Sequence, residues 1–485
     1  MEQLTSLYDS RTWGEASLSH AILTSQPPSG GLYTPMAAMM PKFSHEDIGA
    51  MVEMNYQARA KMITKRFNLG ISEPERLSII DEAYGPQWHR PEIAPVKQVW
   101  KNMYSLHLGY GPTFAFKNFA LEVLPRLLEK LQPGKKMTTV WGSSGDTVNA
   151  AHNGVRGTPI KSAFMLPAKG PSFFQALQAK EGIVDNPNAF TVFTGAPFDT
   201  LQDVVKKINS PAEQKLKEQY WIISFNSINI ARILVQTIYY FHAYAEMLRM
   251  GKIKNGDEVI FSVPSGNFGD ALAALYARDM WLPIKSINVA TNENDMLHRF
   301  FETGRYEPKM ISTTNAPSQD ISKSSNFERA LLWACNDPKK VAQWFRELSD
   351  KGFFEVDAET LKKLRTVFTS STCDNGERIA TIDAMSRELR HTIDPHSASA
   401  AHPIIDGKFP DDISVIFLET SHALQFAEEL KKQWIIVPKM PEFDKTLRKM
   451  RKQKPQEGVH FLRAWKDPEE IMETVKRALQ ILYER

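Results

Sequence analysis

The chain has 485 residues, 42% of them hydrophobic and 24% charged, a composition typical of globular proteins with two or three domains. Lysine and arginine exceed aspartate and glutamate by only three (59 − 56 = 3), so a nucleic-acid or membrane partner is not expected. The two cysteines, Cys335 and Cys373, form no CxxC pair, and counting therefore rules out a disulfide framework and a structural zinc site. No signal peptide, transit peptide or apolar stretch of about 20 residues is visible, so we expect a soluble, cytoplasmic protein.

The first 95 residues form an N-terminal segment with elements of their own. A loop rich in proline, serine and glycine covers residues 26–31, and Ser44 with Asp47 predicts a capping box that begins a helix. Apolar positions then follow the helical period, which predicts a helix with one face packed on a neighbour. These positions are Ile48, Met51, Val52, Ala58, Met62 and Ile63.

From about residue 137 onward, short runs of β-branched and aromatic residues alternate with helical segments. Strands are predicted at 137–141, 161–166, 189–193, 221–225, 258–263, 284–290 and 413–418, with amphipathic helices at 228–248 and 270–279 between them. This alternation favours parallel sheets covered by helices. Residues 340–380 and 424–485 are predicted to be mostly helical, and the last helix begins near Asp467 and Pro468. The basic cluster at 444–454 is interpreted as a solvent-exposed face.

A glycine-containing loop, residues 262–270, follows the predicted strand 258–263 and precedes a helix that starts near Asp270. Glycines let the backbone approach a ligand closely, and free N–H groups at a helix start bind anions. The loop therefore predicts a phosphate site. A tight turn that needs glycine for packing alone is the alternative.

Lys117 stands in an apolar part of the sequence. Its apolar neighbours are Phe114, Ala115, Phe116, Phe119 and Ala120. Desolvation lowers the pKa of a lysine, and the free amine can then form an imine with a carbonyl group. A lysine with a buried stem and a solvated head is the alternative, and it is the one that the local sequence alone favours. Downstream, Pro125 predicts a kink or a late start in the following helix.

A third loop, residues 142–147, follows the strand 137–141 and offers hydroxyl and backbone donors at another helix start. A capped helix terminus is the alternative for this loop. A lysine suited to imine formation together with a phosphate loop points to pyridoxal 5'-phosphate, which carries both an aldehyde and a phosphate.

Seven segments match motifs of one enzyme family. They are 111–117 (GPTxAFK), 144–147 (SGDT), 226–232 (NSINxxR), 263–270 (VPSGNFGD), 290–295 (ATNEND), 325–329 (SNFER) and 394–396 (DPH). On these motifs the chain resembles the threonine synthase family of the long bacterial and fungal type. The resemblance runs in order from about residue 30 to 425, and agreement on that scale does not arise by chance.

The resemblance implies an α/β fold of the fold-type-II pyridoxal-phosphate enzymes, like that of the tryptophan synthase β subunit. Two α/β domains would surround a cleft, next to an N-terminal domain. The implied domains are 1–95 (N-terminal), 96–140 with 245–485 (large, cofactor-binding) and 141–244 (small).

The resemblance also implies the site residues. Lys117 would bind the cofactor aldehyde and act as the catalytic base, and the hydroxyl of Thr420 would meet the pyridine nitrogen. The cofactor phosphate would be held by Ser265, Gly266, Asn267, Phe268 and Gly269. The substrate would be held by Ser144, Asp146, Thr147, Lys169, Asn226, Asn229, Arg232, Asn326 and Arg329.

The implied reaction is a lyase reaction of amino-acid biosynthesis, the conversion of O-phospho-L-homoserine and water to L-threonine and phosphate. A small amino-acid substrate is the expected partner, and a monomer and a homodimer both stay open. His391, His396 and His402 are not interpreted as a metal site, because no carboxylate or cysteine pattern accompanies them.

The chain departs from the family pattern near the expected site. Tyr110 replaces the usual His, Asn118 replaces Asp and Val148 replaces Gly. Further departures are the order of residues in 166–172, Gln319 in place of Met and Ala423 in place of Pro. A distant threonine synthase and a paralogue that catalyses elimination or replacement on a related phospho- or phosphono-amino acid are both compatible with these departures. The presence of Lys117 and of the glycine loop argues against a third class, an inactive binding protein.

Overall fold

The computed structural model describes residues 3–142, 145–167, 172–184, 186–196, 198–208, 213–452 and 454–484. The chain divides into two compact units. The larger unit comprises Met1–Tyr110 and Ser227–Ala423, and the smaller unit comprises Gly111–Asn226 and Leu424–Arg485. The predicted three-domain division stays a prediction. The two units place residues 1–95 with the larger body and residues 424–485 with the smaller one.

The strands of the described residues are, in chain order, β1 Ser6–Asp9, β2 Glu15–Ser17, β3 Tyr33–Thr34, β4 Val96–Trp100, β5 Met103–His107, β6 Thr138–Gly142, β7 Lys161–Pro167, β8 Ala189–Thr194, β9 Ile222–Ile223, β10 Val259–Pro264, β11 Ile284–Thr291, β12 Arg305–Tyr306, β13 Phe354–Glu355, β14 Phe368–Thr372, β15 Val415–Glu419 and β16 Phe461–Ala464.

The α-helices of the same residues are α1 Leu18–Thr24, α2 His45–Ala50, α3 Tyr56–Thr64, α4 Glu73–Ala83, α5 Lys117–Leu121, α6 Leu124–Leu131, α7 Asp146–Gly154, α8 Phe173–Val184, α9 Phe198–Ile208, α10 Gln214–Tyr220, α11 Ile230–Arg249, α12 Gly269–Asp279, α13 Met296–Thr303, α14 Phe327–Cys335, α15 Pro338–Lys351, α16 Ala358–Arg365, α17 Asn375–Glu388, α18 Pro395–Ile405, α19 Ala427–Lys431, α20 Pro441–Lys452 and α21 Pro468–Glu484.

The larger unit is built on a six-stranded sheet of order β14-β11-β10-β15-β5-β4. The sheet is parallel except at its edge, where β4 pairs antiparallel with β5. All six residues of the central strand β10 are buried, as expected for a strand covered on both faces. Because parallel strands run the same way, the loops after β10, β14 and β15 leave from one edge of the sheet, where ligands bind in such folds. A three-stranded antiparallel sheet, β2-β1-β3, and a short β12-β13 pair complete this unit's strands.

The smaller unit has a five-stranded parallel sheet of order β16-β8-β7-β6-β9. Its loop after β6 leads into α7, which begins at Asp146. Strand β16 comes from the C-terminal part of the chain, and α21 packs against it and β8. The fold of the smaller unit therefore needs both of its sequence segments, Gly111–Asn226 and Leu424–Arg485.

Helix α11 crosses the core of the larger unit. Almost every residue over its 20 positions is buried, so the helix predicted to be amphipathic at 228–248 is covered by the protein on nearly all sides. Tyr239 and Tyr240 on α11 donate hydrogen bonds to Asp270 Oδ1 at 2.5 and 2.7 Å. These bonds fix the first turn of α12, directly after the predicted phosphate loop.

Most predicted strands are present within a residue or two of their predicted bounds, and the capping box of Ser44 and Asp47 is present. Residues 340–380 and 424–485 are mostly helical as predicted, with the short strands β13 and β14 in the first region and β16 in the second. Two expectations need correction. The single helix expected to reach residue 63 is two helices, α2 and α3, because Asn55 caps a new start. The strand predicted at 221–225 is only the two-residue β9. In the part of the chain that the structure describes, no helix combines the length and apolar character needed to cross a membrane.

Candidate active site

Lys117 is the first residue of α5 in the smaller unit. Its side chain is 13% exposed, and its Nζ lies 3.3 Å from Asp146 Oδ2 and 4.8 Å from the centroid of the Phe116 ring. Asp146 is buried at the start of α7, and its other oxygen accepts a hydrogen bond from Gln175 Nε2 at 2.5 Å. The apolar surroundings predicted for Lys117 are present, since Phe114 and Phe119 are fully buried. The contact between this amine and the Asp146 carboxylate was not predicted.

The turn that precedes Lys117 is held by Asn118. Asn118 Oδ1 accepts hydrogen bonds from Thr113 N at 3.0 Å and from Thr113 Oγ1 at 2.8 Å. A Cβ at Gly111 would lie 2.6 Å from Asn118 Cβ, so the close approach needs glycine. Pro125 falls in α6, and the break between α5 and α6 just before it is the interruption that the sequence predicted.

The predicted phosphate loop connects β10 to α12 in the larger unit. Ser265 N donates to Ala290 O at 2.8 Å, and Phe268 adopts a left-handed conformation (φ 64°) immediately before the helix. A Cβ at Gly266 would lie 2.9 Å from Ile321 Cδ1 and 3.3 Å from Gln319 Cα, so the loop fits closely against a neighbouring segment. Among the described residues, the buried hydroxyl Ser265 Oγ has no hydrogen-bond partner. A buried donor without a partner at the start of an 11-residue helix suits a bound phosphate group.

Ser227 connects this loop to two other family motifs. Its Oγ accepts hydrogen bonds from Asn267 Nδ2 at 3.0 Å and from Asn326 Nδ2 at 2.9 Å. The backbone adds a bond from Asn326 N to Asn267 O at 3.0 Å. The sequence motif included Ser227, but nothing in its spacing indicated that it joins these segments.

Arg329 is fully buried and holds the same region together. Its Nε donates to Tyr33 O at 2.8 Å, its Nη1 to Asn326 Oδ1 at 2.5 Å and its Nη2 to Ile228 O at 2.6 Å. Each guanidinium nitrogen therefore already donates to a protein oxygen. This geometry gives Arg329 a positioning role for Asn326, and direct contact with a substrate stays a prediction.

The NSINxxR motif contributes residues of different character. Asn229 caps α11 through a bond from Ala231 N to its Oδ1, and its Nδ2 donates to Ile22 O and Ser25 Oγ, so its contacts are internal. Arg232 is buried on α11, and burial lowers its pKa to about 10. Asn226 is half-buried and belongs to the smaller unit.

Thr420 follows β15 and is mostly buried, at 6% exposed. Its N–H donates to Ser397 Oγ at 3.2 Å, and the Ser397 hydroxyl in turn donates to Asp394 Oδ2. Asp394 Oδ1 also caps α18 by accepting from His396 N at 2.9 Å. The DPH motif thus fixes the backbone of Thr420.

A buried acid–histidine cluster lies next to Thr420, and the sequence did not indicate it. Glu419 Oε1 is 2.6 Å from His391 Nε2, and its Oε2 is 3.6 Å from His107 Nε2. Burial alone would raise the pKa of the Glu419 carboxyl, but these two histidines lower it to about 2. Tyr110 stacks on His107 with ring centroids 4.1 Å apart and meets His422 edge-on at 5.5 Å. The His-to-Tyr departure at position 110 therefore places an aromatic ring against two half-buried imidazoles.

The structure brings some predicted residues into contact within each unit. In the larger unit the loop of Ser265–Gly269 contacts Asn326, which Arg329 holds, and in the smaller unit Lys117 contacts Asp146. Thr147 lies half-buried in the first turn of α7. Ser144 and Lys169, together with most of the segment 166–172, lie outside the described residues.

Comparison with known proteins decides the family. A scan against protein-family models finds no match. A threonine synthase of Corynebacterium glutamicum is 34% identical over 91% of this chain and 92% of its own length. A threonine synthase of Schizosaccharomyces pombe is 34% identical over 84% of this chain and 85% of its own length. The chain belongs to the threonine synthase family.

A solved structure confirms the fold of this family member. The crystal structure of the PLP-bound threonine synthase from Brucella melitensis matches it with a TM-score of 0.88 and 28% identity, covering 98% of this chain and 100% of that one. The predicted α/β fold of the fold-type-II pyridoxal-phosphate enzymes is therefore confirmed. The replacements at Tyr110, Asn118 and Val148 are accommodated within this fold, since each side chain is buried or half-buried in the structure.

Proposed function

We propose that the protein is a pyridoxal-phosphate-dependent threonine synthase. It converts O-phospho-L-homoserine and water to L-threonine and phosphate. The observation that carries the proposal is Lys117, held at the start of α5 beside the buried carboxylate of Asp146 in a member of this family. The alternative, a paralogue acting on a related phospho- or phosphono-amino acid, has no observation in its favour.

In the larger unit, Ser265 to Gly269 would bind the phosphate of pyridoxal phosphate through backbone N–H groups and the Ser265 hydroxyl, and Thr420 would contact the ring nitrogen. In the smaller unit, the proposed residue is Lys117. The Lys117 amine binds the cofactor aldehyde. When bound, pyridoxal phosphate supplies an aldehyde for the substrate amine and a ring that takes up the electron pair left at the substrate Cα.

In the proposed reaction Lys117 moves protons. Its amine takes the proton from the substrate Cα and transfers protons at Cβ, which permits loss of phosphate from Cγ and addition of water at Cβ. Asp146, whose Oδ2 lies 3.3 Å from Lys117 Nζ, orients the amine.

The substrate is proposed to contact polar residues around this centre. Asp146 and Thr147, in the first turn of α7, and Ser144 are proposed for the substrate carboxylate, while Asn226, Arg232, Asn326 and Lys169 are proposed for its phosphate. Arg232 is a buried cation that water does not fully solvate. An anionic ligand would stabilise such a cation. Arg329 contributes by holding Asn326. A cytoplasmic location and the oligomeric state stay predictions.

The test is an assay for phosphate and threonine from O-phospho-L-homoserine. The wild-type protein should release both in equal amounts. Lys117→Ala should lose turnover together with the visible absorbance of the lysine-bound cofactor, whereas Lys309→Ala, at an exposed lysine, should keep both. Borohydride reduction followed by peptide mapping should place the label on Lys117. Label at another lysine, or release of phosphate without threonine from the wild type, would contradict the proposal.

A further inference from the structure

The edge of the larger unit holds a group of three side chains outside the proposed active site. One ligand atom each from Cys373, Glu377 and His402 lies within 4.8 Å of the other two. Cys373 follows β14, Glu377 is in the first turn of α17 and His402 is in the last turn of α18. Because the residues come from three separate elements, no sequence motif indicated the group, and cysteine counting excluded a zinc site here.

The orientation of His402 favours ligand binding. Its Nδ1 lies 3.1 Å from Thr381 Oγ1, and its Nε2 lies 3.9 Å from Glu377 Oε1. In the tautomer whose Nδ1–H donates to Thr381 Oγ1, the Nε2 atom that lies near Glu377 carries a lone pair available to a metal ion. Metal-binding histidines commonly donate their second N–H to a protein oxygen in this way, which fixes the tautomer and the ring.

Glu377 is anchored through one oxygen and presents the other. Glu377 Oε2 accepts a hydrogen bond from Asp374 N at 2.8 Å as part of the α17 capping box. Oε1 is the atom that faces His402. The helix cap therefore orients the carboxylate without using the oxygen that would serve as a ligand.

Cys373 supplies a fully buried sulfur whose contact in the structure is weak. Its Sγ lies 3.8 Å from Asp374 O. Cysteine binds a metal ion as the thiolate, so this thiol would release its proton as the ion binds.

The surrounding charges balance a divalent ion. The nearby Arg378 guanidinium is paired with Glu293, with Nη2 2.7 Å from Oε2, and its Nη1 donates to the backbone oxygen of Cys373. Asp374 is engaged as the cap of α17 through Glu377 N. A thiolate and the Glu377 carboxylate then carry two negative charges, which a divalent cation neutralises.

We propose that Cys373, Glu377 and His402 bind a divalent transition-metal ion, with zinc as the best fit and water as the fourth ligand. Sulfur, imidazole and carboxylate ligands together suit zinc, which is usually tetrahedral in proteins. Tetrahedral ligands at about 2.0–2.3 Å from zinc stand roughly 3.3–3.8 Å apart, close to the 3.9 Å between His402 Nε2 and Glu377 Oε1. The Glu377 side chain is 49% exposed, which leaves a path for the ion and a place for water.

The proposed ion is structural. It joins the start of α17 to the end of α18, and the other end of α18 carries Ser397, whose hydroxyl holds the backbone of Thr420. The site is therefore distinct from the residues proposed for cofactor binding and turnover, and its presence or absence is measured without an activity assay.

The test measures zinc in the full-length protein loaded with pyridoxal phosphate. After dialysis against zinc and removal of weakly bound ion by gel filtration, elemental analysis should find about one zinc per chain in the wild type. Cys373→Ser and His402→Gln should each lower the affinity for zinc about tenfold or more, because each removes a ligand. Cys335→Ser is the matched control, since Cys335 is the other cysteine and lies outside the group; it should bind zinc as the wild type does.

Two further measurements keep the test decisive if one variant fails to fold. X-ray absorption of the wild-type protein should show one sulfur at about 2.3 Å among nitrogen and oxygen ligands. Added zinc should raise the melting temperature of the wild type and of Cys335→Ser but not that of His402→Gln. A wild type that retains no zinc, a spectrum without sulfur, or equal zinc binding by His402→Gln would each overturn the proposal.

Discussion

At the scale of single residues, Asn118 explains how the lysine-bearing turn tolerates a departure from the family pattern. The turn needs an acceptor for two buried donors, Thr113 N and Thr113 Oγ1, and the oxygen of an amide serves as well as that of a carboxylate. Among the described residues, Asn118 Nδ2 has no hydrogen-bond partner although it is buried. A buried donor without a partner lowers the stability of the fold. Of the two polar atoms of the Asn118 amide, only Oδ1 therefore stabilises the turn.

The first prediction compares two substitutions at this position. Asn118→Leu should lower the free energy of unfolding by about 3 kcal/mol, because both donors of Thr113 are then buried without an acceptor. Asn118→Asp keeps the acceptor and removes the unpartnered donor, and two donors stabilise the new charge, so its change should stay within about 1 kcal/mol. Urea denaturation followed by circular dichroism measures both. Equal stability of the Leu variant and the wild type would show that the turn does not depend on these bonds.

At the scale of elements, the predicted phosphate loop depends on the space around Gly266. The atoms that a Cβ would meet belong to Ile321 and to the backbone of Gln319, and the second of these cannot move as easily as a side-chain end. Gln319 itself is held, since its Nε2 donates to Ala290 O at 3.0 Å and its Oε1 accepts from Ser399 Oγ at 3.1 Å. The replacement of Met by Gln at position 319 therefore adds bonds behind the loop.

The second prediction is that Gly266→Val weakens binding of pyridoxal phosphate about tenfold or more, because the loop must move away from its observed position. The affinity is measured by titrating the cofactor-free protein and following its visible absorbance. Gly195→Val is the matched control, since the nearest atom to a Cβ there is Lys466 Cγ at an ordinary 3.5 Å. Equal cofactor affinity of Gly266→Val and the wild type would contradict the assignment of the loop.

The sequence predicted an element closely when local residues determine it, and missed an element that forms by pairing with a distant part of the chain. The last helix was predicted closely, because Pro468 and the periodic apolar residues are local signals, and all four predicted inward residues are buried. The buried residues in question are Ile471, Val475, Leu479 and Leu482. Strand β14 was missed because its sequence, FTSST, has the composition of a loop and becomes a strand by pairing with β11.

The same distinction applies to the sites. The phosphate loop and the lysine turn are contiguous in sequence, so motifs predicted them. The cluster of His107, His391 and Glu419 brings His107 to two residues that follow it by more than 280 positions, and the proposed zinc ligands come from three elements. Such groups exist only after the sheet has formed, and residue spacing does not encode them.

At the scale of the whole molecule, each unit contains a parallel sheet whose following loops carry candidate site residues. Ser265 follows β10 and Thr420 follows β15 in the larger unit, and Asp146 follows β6 in the smaller one. Packing of these sheets buries several ionisable groups along with the apolar residues. Burial lowers the pKa of His152, His242 and His422 to about 3, so each is neutral in the folded protein.

These histidines predict that acid destabilises both units. The pKa of each histidine is near 3 in the folded protein, below the usual value of 6.5. Between pH 3 and pH 6.5 the unfolded chain therefore binds more protons than the folded protein does. Stability contributed by the neutral histidines is therefore complete above about pH 6.5 and is lost as the pH falls toward 3, by up to about 1.4 kcal/mol per pH unit for each group. Glu419, with its pKa near 2, adds a loss only below its unfolded value of 4.5.

His152 in the smaller unit offers the direct test of this acid sensitivity. Its ring packs edge-on against Phe164 at 4.4 Å, and burial is the main cause of its lowered pKa. His152→Leu should therefore keep the packing, remove the titrating group and make unfolding of the smaller unit less dependent on pH between 6.5 and 4. Urea denaturation across that pH range measures the slope, with His20→Gln, at an exposed histidine, as the control. An unchanged slope in His152→Leu would mean that the pKa of His152 is the same in the folded and unfolded chain, because only a group that changes its proton affinity on folding contributes to the pH dependence.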